Sequence, residues 1–215
     1  MIKDLKIKIL EETYRMIDEE GYENFSVRNL SANLNVSHNA LYRHYKSKND
    51  LLFDLLKNEL NRLTRQFIKI RELNSRDAVW KFKEYTYIYL EFAIAHPNIY
   101  KIMYSFEKIN NKFPQDLIDA YKNNYSQILA VTKECIHECK FKKVSVYSFA
   151  NTIWAFTHGL ASMLVDNILV KEKNLDSLPV LLQIKQSKSV SKTRDILKFS
   201  IENLFNSFFS RNRKS

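Results

Sequence analysis

The sequence predicts an all-α protein, because it is poor in turn-forming residues and its apolar residues follow a helical period. Its 215 residues include only two glycines and three prolines, and the tight turns of β-sheet proteins depend on these residue types. Apolar side chains recur every three or four positions over most of the chain, as on one face of a helix. With 45% hydrophobic residues, the chain can bury a sizeable core in one large or two small domains.

One helix is predicted at each end of the N-terminal region. The first covers residues 3–20, where apolar residues form one stripe and Gly21 provides a C-terminal stop. The fourth helix of the chain follows the capping residue Ser47 and runs to about Ile70. It has apolar residues on each side, so it can join a small N-terminal domain to a larger body.

The segment between them, residues 26–45, has the pattern of two short helices around a three-residue turn. Ser26 and Ser37 are candidate N-caps, since their hydroxyls can accept from backbone amides two or three residues later. Asn35 lies where the backbone must be left-handed, and Asn tolerates that conformation better than most residues. The pattern is typical of a helix-turn-helix.

The second short helix has an outward polar face suited to DNA. Leu41 and Tyr45, four residues apart, are predicted to face the preceding helix. The groups left outside can donate to base edges and phosphates; they are those of His38, Asn39, Tyr42 and Arg43. No Asp or Glu occurs from Asn24 to Asn49, whereas two arginines and two lysines do. An ordinary solvent-exposed helical hairpin would not explain why the turn residues, the helical period and the absence of acidic residues all agree with a DNA-binding motif.

The rest of the chain is predicted to be helical apart from short polar breaks, a loop over residues 171–190 and a basic tail over residues 211–215. His96 and Pro97 end one helix and begin the next. The predicted helices cover residues 77–95, 98–109, 114–139, about 144–170 and 191–210.

The charge of the chain does not by itself locate a nucleic-acid site. The formal net charge is +10, but residues 1–65 hold 11 basic and 10 acidic side chains, and most of the excess lies farther along. The acid-free window around the predicted turn is therefore the informative signal.

Two cysteines, Cys135 and Cys139, lie four residues apart in a helical pattern. A disulfide within one helical turn is geometrically poor, so we expect free thiols and a cytoplasmic protein. Buried structural thiols are the favoured interpretation; redox sensing, or a metal site that includes His137, are the alternatives. No apolar signal core or run long enough to span a membrane is present.

Five short segments near the start of the chain resemble one protein family. They are residues 21–28, 30–31, 36–37, 41–45 and 47–52. On these residues the first 65 positions resemble the tetracycline-repressor (TetR) family of bacterial transcription regulators. Residues 96–105 are similar to the sixth-helix region of many such proteins, and Trp154 to Gly159 are similar to the Trp…His-Gly signature of one C-terminal subgroup.

The resemblance implies a helix-turn-helix DNA-binding domain over residues 3–63 and a C-terminal effector-binding and dimerisation domain over residues 75–210. It also implies a homodimer formed through the helices at about 144–170 and 191–210, which places two recognition helices on a near-palindromic double-stranded operator. The implied DNA contacts are Ser26, Arg28, Ser37, His38, Asn39, Tyr42, Arg43, His44, Lys46 and Lys48. In this scheme Asn39 pairs with adenine, Arg28 with guanine, and Lys48 with phosphate.

A small-molecule effector is expected in a cavity of the helical body. Its candidate lining is Trp80, Tyr85, Tyr89, Tyr104, Tyr125, Trp154 and His158. Most of these side chains are more simply explained as core. His158 in particular is interpreted as structural rather than as a carboxylate or metal ligand, because no second metal ligand lies at helical spacing.

The predicted function is sequence-specific DNA binding by a ligand-responsive regulator, most simply a repressor. An activator, a non-specific DNA binder or a small-molecule-binding helical protein are the alternatives. The chain has no Gly-rich phosphate loop, His-Glu-x-x-His pattern or nucleophile elbow. We therefore expect no catalytic residues, cofactor or metal.

Overall fold

The computed structural model describes residues 2–104, 113–166, 198 and 201–206, and every regular element within them is helical. Residues 201–206 are helical. The preceding elements are α1 (Ile2–Glu20), a 3-10 turn (Tyr22–Asn24), α2 (Val27–Asn33), α3 (His38–Tyr42), α4 (Lys48–Arg71), α5 (Ala78–Ala95), α6 (Pro97–Tyr104), α7 (Gln115–Glu138) and α8 (Val146–Val165). The all-α class predicted from the sequence is confirmed.

Helix ends shift from their predicted positions where side chains cap the backbone. The helix α8 begins after Ser145, whose hydroxyl accepts from the amide of Ser148 at 3.3 Å, rather than at residue 144. It ends at Val165 instead of near residue 170, and the amide of the C-cap Asp166 donates to the Ser162 carbonyl. Predicted helix residues 105–109, the loop 171–190 and most of 191–210 lie outside the described residues.

One compact unit comprises Met1–Arg62 and His96–Asn124. In this unit α6 packs against α1: the ring Nδ1 of His96 lies 2.8 Å from Asp18 Oδ2, and the Asn98 amide donates to the Asp18 carbonyl at 2.9 Å. Apolar side chains from α1 to α4 fill the centre, namely Ile9, Met16, Ile17, Leu30, Leu41, Leu52 and Leu56. Helices far apart in sequence thus share one core.

The second compact unit comprises Leu63–Ala95 and Tyr125–Ser215, and in it α5 packs against α8. The Phe82 ring on α5 makes edge contacts with Phe149 and Phe205, at centroid distances of 6.0 and 5.5 Å. Tyr85 stacks on Phe67 at 4.2 Å and donates its hydroxyl to the Phe67 carbonyl. The aromatic residues of α5 are therefore largely core.

The two compact units follow packing rather than chain order, since residues 96–124 belong with the N-terminal helices. Both units contain residues of α4, with 48–62 in the first and 63–71 in the second. This division does not test the functional domain bounds, and residues 3–63 and 75–210 stay predictions.

Candidate DNA-binding surface

Local capping explains why residues 26–45 form two short helices. The Ser26 hydroxyl accepts from the Asn29 amide at 3.3 Å, and the Ser37 hydroxyl accepts from the Ala40 amide at 3.2 Å. Asn35 has a φ of 52°, the left-handed conformation expected for the turn. The amide of Val36 donates to the Ser31 carbonyl and closes the turn. Because Ser26 and Ser37 cap helices, their hydroxyls already have partners within the fold.

Two buried side chains orient α3. Leu41 and Tyr45 are 3% and 6% exposed, as their four-residue spacing predicted. The Tyr45 hydroxyl donates to Asp54 on α4 at 2.8 Å, and the Lys6 ammonium on α1 lies 2.9 Å from the same carboxyl oxygen. Burial raises the pKa of Asp54, but hydrogen bonds from Lys6, Lys57 and Tyr45 outweigh it and leave the pKa below its ordinary value. A charged anchor therefore holds α3 between α1 and α4.

The opposite side of α3 is exposed, and it carries the four polar groups that the sequence predicted to face outward. His38 and Tyr42, one turn apart, stack with centroids 5.2 Å apart and planes 17° apart, and Tyr42 is 45% exposed. Asn39 and Arg43 lie on the same exposed stretch. Since no described residue from 24 to 49 is acidic, this face presents donors without carboxylates among them.

The other predicted DNA contacts differ in how far they reach solvent. Arg28 on α2 and Lys46 after α3 are exposed. Ser26 and His44 are half-buried, so only part of each side chain can meet a ligand. The structure therefore exposes Arg28, Lys46 and the polar residues of α3 at the surface of the first unit, whereas their roles in binding stay predictions.

Lys48 has a structural partner that was not predicted from the sequence. Its ammonium donates to the Phe25 carbonyl at 2.8 Å and lies 4.4 Å from the centroid of the Tyr22 ring. Burial lowers its pKa, partly opposed by Glu23. The signal available in the sequence was the aromatic link Tyr22 to Phe25, because aromatic rings attract a cation and the carbonyl of a buried residue needs a donor.

The residues predicted to line an effector pocket are divided between the two compact units. Tyr104 belongs to the first compact unit, and the other six belong to the second. The Tyr85 hydroxyl is satisfied by the Phe67 carbonyl, and Trp80 carries the Arg76 guanidinium 4.8 Å from its ring centroid. The Tyr125 hydroxyl donates to Asn151 at 2.7 Å. These contacts account for Trp80, Tyr85 and Tyr125 without a ligand.

Three of the predicted pocket residues do form one cluster between α5 and α8. The Tyr89 hydroxyl lies 2.9 Å from His158 Nδ1. The His158 ring stacks on Trp154 at 5.1 Å with an interplanar angle of 8°, and Trp154 is 40% exposed. Burial lowers the pKa of His158 below its ordinary value. A neutral imidazole, a phenol and an exposed indole can contact an aromatic or amphipathic molecule.

Cys135 lies on α7 and Cys139 just after it, and neither belongs to a disulfide. Cys135 is fully buried, and burial strongly raises the pKa of its thiol, as expected for an inert structural cysteine.

Among the described residues, no group of three or more metal-binding side chains converges. None of the helices in that part of the chain combines the length and apolar character that crossing a membrane requires.

The capped helices and their left-handed turn define a helix-turn-helix protein, and comparison with known families agrees. Residues 9–55 match the model of bacterial regulatory proteins of the tetR family. Residues 82–178 match the model of the tetracyclin repressor-like C-terminal domain. The chain belongs to the tetR family, as its resemblance implied; the Trp…His-Gly subgroup stays a prediction.

A curated relative is similar to part of this chain at modest sequence identity. An HTH-type transcriptional regulator of Staphylococcus aureus strain bovine RF122 / ET3-1 is 31% identical over 121 residues, and the alignment covers 53% of this chain and 63% of that protein. The chain thus spans less than two thirds of this curated relative.

Two solved structures resemble the chain over nearly its whole length. A protein of unknown function from Rhodococcus sp. RHA1 has a TM-score of 0.74 and 19% identity, covering 94% of both chains. The transcriptional regulator FadR from Bacillus subtilis, solved in complex with stearoyl-CoA, has a TM-score of 0.66 and 17% identity. That match covers 91% of this chain and 97% of FadR. At these identities the likeness shows the fold alone.

Proposed function

We propose that this protein is a sequence-specific DNA-binding transcription regulator, acting as a ligand-responsive repressor in the cytoplasm. The observation that carries the proposal is the exposed, acid-free face of α3, which bears His38, Asn39, Tyr42 and Arg43 on a helix anchored from behind by Tyr45. Such a face fits the major groove, where amide and guanidinium groups distinguish base pairs. Arg28 and Lys46 extend it with charges that suit phosphates. No catalytic role is proposed.

The direct test is a genomic DNA pull-down with sequencing, using purified protein at near-physiological salt. We expect enrichment of a sharp, near-palindromic site. The matched control is Asn39→Ala, which keeps the fold but removes one base-reading group, and which should reduce that enrichment. Diffuse, salt-sensitive recovery by both proteins would instead support a non-specific DNA binder.

We further propose that the operator-bound form is a homodimer and that α8 contributes to its interface. Two large apolar side chains on α8, Phe156 and Met163, are exposed and lie seven residues apart on one face of the helix. Gly159 on the same helix has open space where a Cβ would lie, which permits a close approach of another helix. A contiguous exposed apolar patch marks an interaction surface, whereas scattered apolar side chains do not.

The dimer can be tested by light scattering after size-exclusion chromatography. Phe156→Glu with Met163→Glu should shift the protein toward the monomer, because each change places a charge in the buried interface. Lys133→Glu on the exposed side of α7 is the control and should leave the mass unchanged. A monomeric wild-type protein, or a dimer unaffected by the double change, would contradict the assignment of α8.

For the effector we propose the cluster of Tyr89, Trp154 and His158 as part of its site. FadR, of similar fold, was solved with stearoyl-CoA, which supports the idea that a fold of this kind can enclose an amphipathic ligand. A ligand that induces must bind the DNA-incompetent conformer more tightly, and DNA must then weaken the ligand by the same factor. The helix α4, with residues in both units, is one covalent link through which this coupling would pass.

A regulator that activates transcription would use the same DNA-binding surface. Footprinting in the absence and presence of metabolite extracts separates the two roles, since a repressor responding to an inducer loses its footprint. Protection that is unchanged by any extract would favour a ligand-independent binder.

A further inference from the structure

An open cavity of about 530 Å³ lies within the first compact unit, between α1, α4 and the residue before α6. One face of α1 supplies Ile7, Leu10, Glu11 and Tyr14, and one face of α4 supplies Leu55, Asn58, Glu59 and Arg62. Both sets have the spacing i, i+3, i+4 and i+7, so each forms a single stripe. His96 completes the lining. The volume is in the range of small-molecule sites, roughly 300–1,000 Å³.

The two ends of this α1–α4 cavity differ in character. Ile7, Leu10 and Leu55 are apolar, and the Lys6–Asp54 ion pair lies next to them in both helices. At the other end Tyr14 meets His96 edge-on, with ring centroids 5.5 Å apart. The cavity can therefore receive a molecule with an apolar chain and a polar head.

The charges of the lining favour a cationic head. The Arg62 guanidinium pairs with Glu59, its Nε 2.8 Å from Oε2, and His96 pairs with Asp18 behind it. Glu11 is exposed and forms no ion pair with another described residue, so its carboxylate leaves the lining with an excess of negative charge. The electron-rich face of Tyr14 also attracts cations.

We propose that the α1–α4 cavity is a binding site for a small organic cation that carries an apolar chain. The chain lies against Leu10 and Leu55, and the head lies near Glu11 and Tyr14. This site is separate from the cluster of Tyr89, Trp154 and His158, and its existence does not depend on DNA binding.

Isothermal titration calorimetry without DNA tests the proposal with three probes of equal chain length: hexyltrimethylammonium, hexanol and hexanoate. The ammonium probe should bind most tightly and the carboxylate most weakly. Glu11→Gln should weaken the ammonium probe by about twofold to fivefold, the range of a solvent-exposed ion pair, and should leave hexanol unchanged. Glu20→Gln, an exposed change later on α1, is the matched control.

A second pair of variants shows whether binding occurs in this cavity. Asn58→Trp fills its mouth from an exposed position on α4 and should weaken the ammonium probe at least tenfold, whereas Lys69→Trp, exposed on the same helix, should not. Urea unfolding verifies that each variant folds. Failure of the ammonium probe to bind, tighter binding of hexanoate, or equal binding by Asn58→Trp and the wild type would overturn the proposal. None of these results bears on operator binding, which is read separately.

Discussion

The ammonium of Lys48, the first residue of α4, donates to the carbonyl of Phe25, the residue that leads into the cap of α2. The same ammonium lies over the rings of Tyr22 and Phe25, at 4.4 and 5.1 Å from their centroids. A single side chain thus joins the link after α1 to the start of α4. It holds both ends of the helix-turn-helix.

Lys48→Met should lower the free energy of unfolding by about 1–2 kcal/mol, since the Phe25 carbonyl loses a charged donor while the aliphatic stem is kept. Urea unfolding measures the loss. Lys46→Met is the control: Lys46 is exposed, so its change should stay within about 0.5 kcal/mol. Equal effects of the two variants would show that the Lys48 contact adds nothing to stability.

Replacing Asn35 with glycine should be tolerated, whereas replacing it with alanine should destabilise the protein. The φ of 52° at Asn35 is left-handed. This conformation is strained for a residue with a Cβ and unstrained for glycine. Asn35→Gly should therefore stay within about 0.5 kcal/mol of the wild type, whereas Asn35→Ala should destabilise by about 1 kcal/mol. Thermal unfolding compares the pair. A larger loss of stability in Asn35→Gly than in Asn35→Ala would contradict the expectation that the left-handed backbone at this position determines the effect.

Base reading and phosphate binding should separate in two variants of the DNA surface. Asn39→Ala should relax the preference at one base position by about 1–3 kcal/mol. Lys46→Ala should weaken binding to all sequences alike and flatten the salt dependence by about one unit. Fluorescence anisotropy on operator and single-base variants, at several salt concentrations, measures both. Lys48→Ala is unsuitable as the phosphate variant because it also breaks the contact with Phe25. Identical behaviour of the two variants would refute this division of roles.

Removing the Tyr45 hydroxyl should destabilise the protein by about 1 kcal/mol, since Tyr45→Phe takes a buried donor from Asp54. The exposed Tyr42 provides the control, and Tyr42→Phe should have little effect on unfolding. The contact also helps to keep the pKa of Asp54 low. Stability from that carboxylate is present above its unfolded pKa and is lost as the pH falls through the lowered value. A Tyr45→Phe protein as stable as the wild type would show that the anchor is dispensable.

Protonation of His158 should oppose folding at acidic pH. Burial lowers its pKa below the ordinary value of 6.5, so between the two values the unfolded chain binds more protons than the native one. This contribution to stability is present above pH 6.5 and decreases as the pH falls toward the lowered pKa. His158→Gln should reduce the dependence of the free energy of unfolding on pH, measured by urea unfolding at pH 5, 6 and 7. His137→Gln, an exposed change, should not; equal slopes in all three proteins would contradict the prediction.

Local features of the sequence were enough to predict the helical class, the caps and the turn. Ser26, Ser37 and Asn35 act through backbone groups within a few residues, so their residue types reveal their roles. The exposed face of α3 followed from helical period alone, because Leu41 and Tyr45 mark the buried side.

Contacts between distant segments were decided only by the tertiary structure. The Lys48–Phe25 bond, the packing of α6 on α1 through His96 and Asp18, and the α1–α4 cavity each join segments that are far apart in the sequence, and no local pattern predicts which segments meet. The aromatic residues of the helical body show the same limit: periodicity predicts that Tyr85 and Tyr89 are buried, but only packing gives Tyr85 a carbonyl partner and Tyr89 a histidine. A side chain's exposure follows from local period, whereas its partner depends on which helices the chain brings together.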